Sequence, residues 1–228
     1  YTSAEEAKLQ QLLDESTTGV LAPLPETAHD RHEWLVWGEH LYGRPWGEVP
    51  FLWSESYFYR RLLGALGYFG TGTWRGIDPF APAKNAELTG PEVDRELSAF
   101  ADLADASEDR RHEALLVAAL WGNRADLSFQ LQLNTTDADA PSEGILVDDS
   151  ALLWSALTSR DSPVVCVVAD NAGREVLADL VLADSLLSRR LAAEIVLYVK
   201  PYPYYVSDAT MADVLSVIGR LRAESRQI

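Results

Sequence analysis

The run Val167-Val168-Ala169-Asp170-Asn171-Ala172-Gly173-Arg174-Glu175 sets a carboxylate and an amide side by side after a β-branched stretch. An apolar-periodic segment, Val176 to Leu187, follows directly. This order predicts a strand, a tight turn and a helix. In open α/β sheets the ligand crevice lies outside the carboxyl ends of the strands, which puts Asp170 and Asn171 at its mouth. A carboxylate beside an amide carbonyl supplies hard oxygen donors suited to Mg²⁺ or Mn²⁺. Gly173 lets the backbone turn closely, and the free N–H groups opening the next helix suit an anionic phosphate. The same residues also suit simple capping of that helix, and spacing alone leaves both readings open.

A second strand-like run, Ile195 to Val199, leads through Lys200 and Pro201 to Tyr205 into Val206-Ser207-Asp208-Ala209-Thr210. Asp208 again falls where a strand edge meets a helix. Two acidic residues at neighbouring strand ends can share one cation. Ser207 or Asp208 also reads as a helix cap. Lys200, just past a strand, is placed to pair with a phosphate. Glu175 is either a residue that orients water or a first-turn glutamate favoured by the helix dipole. His29, His32 and His40 lie in a charged amphipathic stretch and read as a solvated face rather than a metal cluster.

The elements that must position these groups change character along the chain. Up to residue 128, apolar residues recur at helical spacing in Ala4 to Leu13, Glu33 to Leu41, Glu55 to Leu66, Val93 to Leu103 and Arg111 to Trp121. A polar, Asp-rich stretch from Asn134 to Glu143 then gives way to short apolar runs alternating with helices. Ile145 to Val147, Val164 to Val168 and Ile195 to Val199 have the continuous apolar composition of strands buried on both faces. The expectation is an α/β protein, with a helical N-terminal half packed on an α/β/α parallel-sheet, Rossmann-like half. The boundaries expected are residues 1–133 for the helical subdomain and 134–228 for the α/β, metal-binding subdomain.

Composition narrows the function classes. The 228 residues carry 35 acidic and 19 basic side chains, a formal charge of −16, which disfavours nucleic acid as a partner and favours cations. No apolar run approaches the roughly 18 residues that cross a bilayer, so no membrane partner is expected. The single cysteine, Cys166, lies in an apolar run and reads as a small core residue. One cysteine in this length fits a reducing, cytoplasmic setting.

The segment from Asp170 to Asp184, together with Val206-Ser207-Asp208-Ala209-Thr210, resembles the metal-binding core of the damage-control phosphatases, in their acidic-residue-methyltransferase-like branch (subfamily III). Trp53 to Arg61, Asp78-Pro79-Phe80 and Leu120 to Ser128 are similar to that branch's helical-half motifs, in the same order. The resemblance covers roughly residues 50 to 210. It implies a divalent cation, Mg²⁺ or Mn²⁺ with Co²⁺ or Ni²⁺ as alternatives, bound by Asp170, Asn171 and Asp208. It also implies hydrolysis of phosphate monoesters of small metabolites, such as fructose 1-phosphate or fructose 6-phosphate. Asn123 and Asp126 would then shape the substrate pocket alongside Lys200.

Two departures stand beside the resemblance. The Arg-Thr-x-Lys motif that follows Asp208 in this branch does not occur here, so the α/β half is expected to be incomplete at its C-terminus. Arg174 occupies a position where relatives carry an apolar aromatic residue. Two other activities compete: carboxyl methyl transfer from S-adenosylmethionine to protein glutamates, and non-catalytic binding of a metal or phosphometabolite. No Gly-rich loop follows an early strand, which argues against the first.

Overall fold

Thr2 opens the first helix, α1 (Ser3–Thr18), with a capping box: its backbone N–H donates to Glu5 Oε2 at 2.8 Å and its hydroxyl accepts the Glu5 N–H. The structure, a computed structural model, describes residues 2–122 and 145–224. Its internal contacts divide the chain into two units, Tyr1–Pro79 and Phe80–Ile228. No helix among the described residues is long and apolar enough to cross a membrane.

The first unit packs α1 against α3 (Phe51–Leu66), and the short α2 (Arg31–Trp37) meets α3 through Trp34. Aromatic residues dominate its core. Tyr57 is fully buried, stacks on Trp53 at 5.0 Å and also contacts the rings of Trp34 and Trp46. Arg60 is buried and forks onto Asp30, donating from Nε and a terminal nitrogen at 2.6 Å each. The face of its guanidinium lies 4.2 Å from the Phe69 ring centre. Arg60 therefore serves the core of this unit. The side chains of His29 and His40 are largely exposed, in line with a solvated face.

The second unit contains α4 (Ala81–Leu88), α5 (Pro91–Asp102), α6 (Glu108–Trp121), α7 (Ser150–Ser159), β1 (Val164–Val168), α8 (Arg174–Ser188), β2 (Glu194–Tyr198) and α9 (Met211–Glu224). Pro82 and Pro91 sit in the first turns of α4 and α5, where a missing N–H costs no helical bond. β1 and β2 pair in parallel, in register from Val164 opposite Glu194 to Val168 opposite Tyr198. α8 is the connection that parallel pairing requires. Leu88, Val93 and Leu97 from α4 and α5 pack with Val176 and Leu177 of α8 and Val214 and Val217 of α9. Ala169, Ala172 and Ala209 belong to the same cluster, so the chain just past each strand is rooted in the core.

Three expectations are corrected. Ile145 to Val147 forms a bend rather than a strand, with Leu146 and Val147 exposed, because no strand among the described residues pairs with it. The strands are not covered on both faces: Val164, Val168 and Tyr198 are more than half exposed. Cys166 is exposed for the same reason, since the described sheet has only two strands and leaves its face open. The pattern change at residues 133–134 lies outside the described residues. The architecture is mixed α/β, with the helices from Ala81 to Trp121 in the same unit as the sheet.

Candidate metal centre

Beyond β1 and β2 the chain makes a small extra layer of pairing. Ala169 N–H donates to Tyr198 O at 2.9 Å, extending the parallel ladder by one bond. The 207–209 segment then folds back between the two strand ends. Ala172 N–H donates to Ser207 O, Ala209 N–H to Asp170 O, and Lys200 N–H to Ala209 O, at 2.6, 2.8 and 2.9 Å. Asn171 and Asp208 thus form an antiparallel bridge, and Lys200 and Thr210 a parallel one. These bonds bring Asp170, Asn171, Lys200 and Asp208 to one edge.

The side chains converge on one cationic group. Lys200 Nζ donates to Asp170 Oδ1 at 2.9 Å and stands 3.6 Å from Asp208 Oδ1. Partial burial works against its charge, but the Asp170 hydrogen bond and the Asp208 carboxylate outweigh that and raise its pKa. Asp170 is exposed at the rim, whereas Asp208 is buried and accepts the Tyr205 N–H at 2.9 Å.

Asn171 is held from three sides. Its side-chain oxygen accepts the Ser207 hydroxyl at 2.6 Å, while its amide nitrogen donates to Glu175 Oε2 at 3.0 Å and Asp170 Oδ2 at 3.3 Å. Its backbone N–H donates to Glu175 Oε1 at 3.1 Å. Glu175 therefore orients Asn171 from the first turn of α8. Gly122 closes that side: a Cβ there would lie 2.8 Å from the Glu175 Cα, so α6 ends against the start of α8. Asn123 and Asp126, the expected pocket residues, lie outside the described residues.

The donor set fits a hard divalent cation. Asp170 and Asp208 present oxygens around a single positive charge, and the Asn171 amide is the third oxygen donor at the same edge. No cluster of three or more His, Cys, Asp or Glu side chains suited to a metal occurs among the described residues. Two carboxylates, Asp170 and Asp208, face the Lys200 ammonium, and a third, Glu175, stands behind Asn171. A phosphate approaching this edge needs additional positive charge.

Further residues belong to this edge that sequence reasoning passed over. Lys84 of α4 is buried and donates to Asp208 O at 2.7 Å and Asp213 Oδ2 at 3.0 Å. Asp213 also accepts the Thr210 N–H at 2.8 Å and its hydroxyl at 2.6 Å, capping α9. Contacts spanning more than a hundred residues leave no local signal. Arg174 points away from the ligand set: its Nε donates to buried Glu96 at 2.6 Å.

One turn along α8, half-buried Asp179 faces the charge of Glu175. Burial, with that neighbouring charge, pushes its carboxyl from 3.8 to about 6. The unfolded chain loses this proton near 3.8 while the folded chain keeps it to about 6, so stability falls as pH rises through that window. Asp179→Asn is expected to remove the decline. After discounting for partial exposure, on the order of 1 kcal/mol is regained above pH ~6, or about 2–4 °C in a thermal melt. Melting curves at pH 4.5 and 7.5 check this; equal shifts at both would contradict it.

The family model for the damage-control phosphatase ARMT1-like domain matches residues 2–227. Damage-control phosphatase ARMT1 of Danio rerio is 32% identical over 192 residues, covering 74% of this chain and 42% of that protein. The Homo sapiens protein of the same name is 31% identical over 208 residues (78% and 45%), and that of Mus musculus 29% over 234 (90% and 53%). The chain belongs to the damage-control phosphatase ARMT1-like family. It spans about half the length of these relatives.

Proposed function

We propose that this protein is a metal-dependent phosphatase that hydrolyses phosphate monoesters of small metabolites, sugar phosphates such as fructose 1-phosphate or fructose 6-phosphate among them. The convergence of Asp170, Asn171 and Asp208 at one strand edge is the observation that carries the reading. Family membership supports the reaction class. Asp170, Asn171 and Asp208 would hold the cation, Mg²⁺ or Mn²⁺ by donor chemistry, and the cation would supply a Lewis acid that offsets charge on the phosphoryl group.

The chain's own groups do the rest. Asp208, buried and pinned by the Tyr205 N–H, fixes the inner side of the site, while Asp170 faces the entering substrate. Glu175 holds Asn171 through two bonds and keeps its carbonyl turned toward Ser207. Lys200 meets phosphate oxygens as a compact charge. Asn123 and Asp126 would shape the substrate pocket, as membership of the family suggests. The parallel pair β1–β2, joined through α8, supports a Rossmann-like arrangement. A cytoplasmic setting completes the reading.

Phosphate release from a panel of sugar phosphates, with Mg²⁺, Mn²⁺, Co²⁺ or Ni²⁺ and with EDTA, tests the proposal. Metal-dependent release is the expected result. Methyl transfer from labelled S-adenosylmethionine without phosphate release would replace it.

Lys200→Met separates the lysine's role from the cation's. Losing a charged hydrogen bond to substrate is expected to raise KM about tenfold or more. Mn²⁺ affinity should hold or rise, because a positive charge beside Asp170 and Asp208 is gone. A fall in Mn²⁺ affinity with KM unchanged would move Lys200 out of the substrate's reach.

A further inference from the structure

Lys84 is 6% exposed, a rare place for an ammonium group. Burying a charge is costly unless it is paired and hydrogen-bonded, and an apolar residue of similar length would occupy the same space without that cost. What the ammonium adds is a tie to one particular peptide. It donates to the Asp208 carbonyl at 2.7 Å and to Asp213 Oδ2 at 3.0 Å. Asp213 Oδ2 in turn accepts the Thr210 N–H and hydroxyl. The segment Asp208 to Thr210 is thereby clamped from the core side, while Ala209 N–H ties it to Asp170 on the other.

We propose that Lys84 is a positioning residue of the cation site, fixing Asp208 through its main-chain carbonyl so that its carboxylate is in place before a cation binds. The inference rests on the reading of Asp170, Asn171 and Asp208 as cation ligands. Its bond to Asp208 runs to the main-chain carbonyl, so it acts on that ligand through the backbone. Residues that orient first-sphere ligands typically contribute about 10- to 100-fold in metal affinity or activity.

The test is Mn²⁺ affinity of the full chain, followed by the electron paramagnetic resonance signal of free Mn²⁺, with thermal melts in EDTA alongside. Lys84→Met is expected to lower both stability and Mn²⁺ affinity, because it leaves the Asp213 carboxylate buried without its cation. The double variant Lys84→Met/Asp213→Asn removes both charges and is expected to recover stability. Its Mn²⁺ affinity should remain about tenfold or more below that of the parent chain. Recovery of stability and affinity together would overturn the proposal and leave Lys84 as a structural ion-pair partner of Asp213. If the parent chain binds Mn²⁺, Asp170→Ala abolishes binding and the Lys84 variants bind normally, the proposal falls while the site stands. If the parent chain binds no Mn²⁺, both fall.

Discussion

Asp170→Ala is expected to lower metal-dependent phosphate release by about a thousandfold or more, since removing even one preorganised electrostatic contact costs ~10²–10³ in rate. The fold should hardly notice. The Asp170 side chain is 70% exposed, and its bonds from Lys200 and Asn171 lie at the rim. Exposed substitutions of this kind usually stay within about 0.5 kcal/mol. The variant therefore separates chemistry from folding, which Asp208 cannot do, because it is buried and bonded to the Tyr205 turn. Phosphate release and a melt in EDTA, measured on the same preparation, check both halves. Activity within tenfold of the parent protein would remove Asp170 from the site.

Gly173→Ala is expected to damage the site through the backbone. Gly173 has φ 72° and ψ −126°, a conformation that L side chains rarely adopt, and it immediately precedes α8. A Cβ there would also lie 2.8 Å from the Glu87 carboxyl group, which must swing aside. Forcing such a conformation costs about 1–3 kcal/mol, and the alternative is to rotate the turn that carries Asp170 and Asn171. Rotation would pull Asn171 from Glu175 and Ser207, so activity should fall about 100-fold, as for loss of ligand-orienting contacts. A melt and a Mn²⁺ titration distinguish the routes: lost stability with normal Mn²⁺ affinity means strain was absorbed in place. Normal values of both would contradict the role given to this glycine.

Much of the local structure was legible. Val164 to Val168 and Ile195 to Val199 read as strands from composition, and they pair in parallel as Glu194–Tyr198 with Val164–Val168. Strands that run parallel end at the same edge, so the nearness of Asp170 and Lys200 followed from order alone. The fold-back of Ser207 to Ala209 between them did not, because it rests on three backbone hydrogen bonds that no residue pattern announces. Ile145 to Val147 misled because apolar composition signals a strand only where another strand pairs with it, and none among the described residues does. Cys166 misled for the same reason. Lys84 was invisible because charge usually marks a surface, and only tertiary contacts reveal that this one is enclosed. Tyr57 and Trp34 lie in stretches that read as helical, but the ring packing around Tyr57 required the fold.

The most direct test of the central claim is a Mn²⁺ titration of the parent chain and its Asp170→Ala variant, with Mg²⁺ as competitor. One saturable site per chain, displaced by Mg²⁺ and lost in the variant, is the predicted result. A parent chain that binds no Mn²⁺, or a variant that binds it equally well, would contradict a cation centre at Asp170, Asn171 and Asp208.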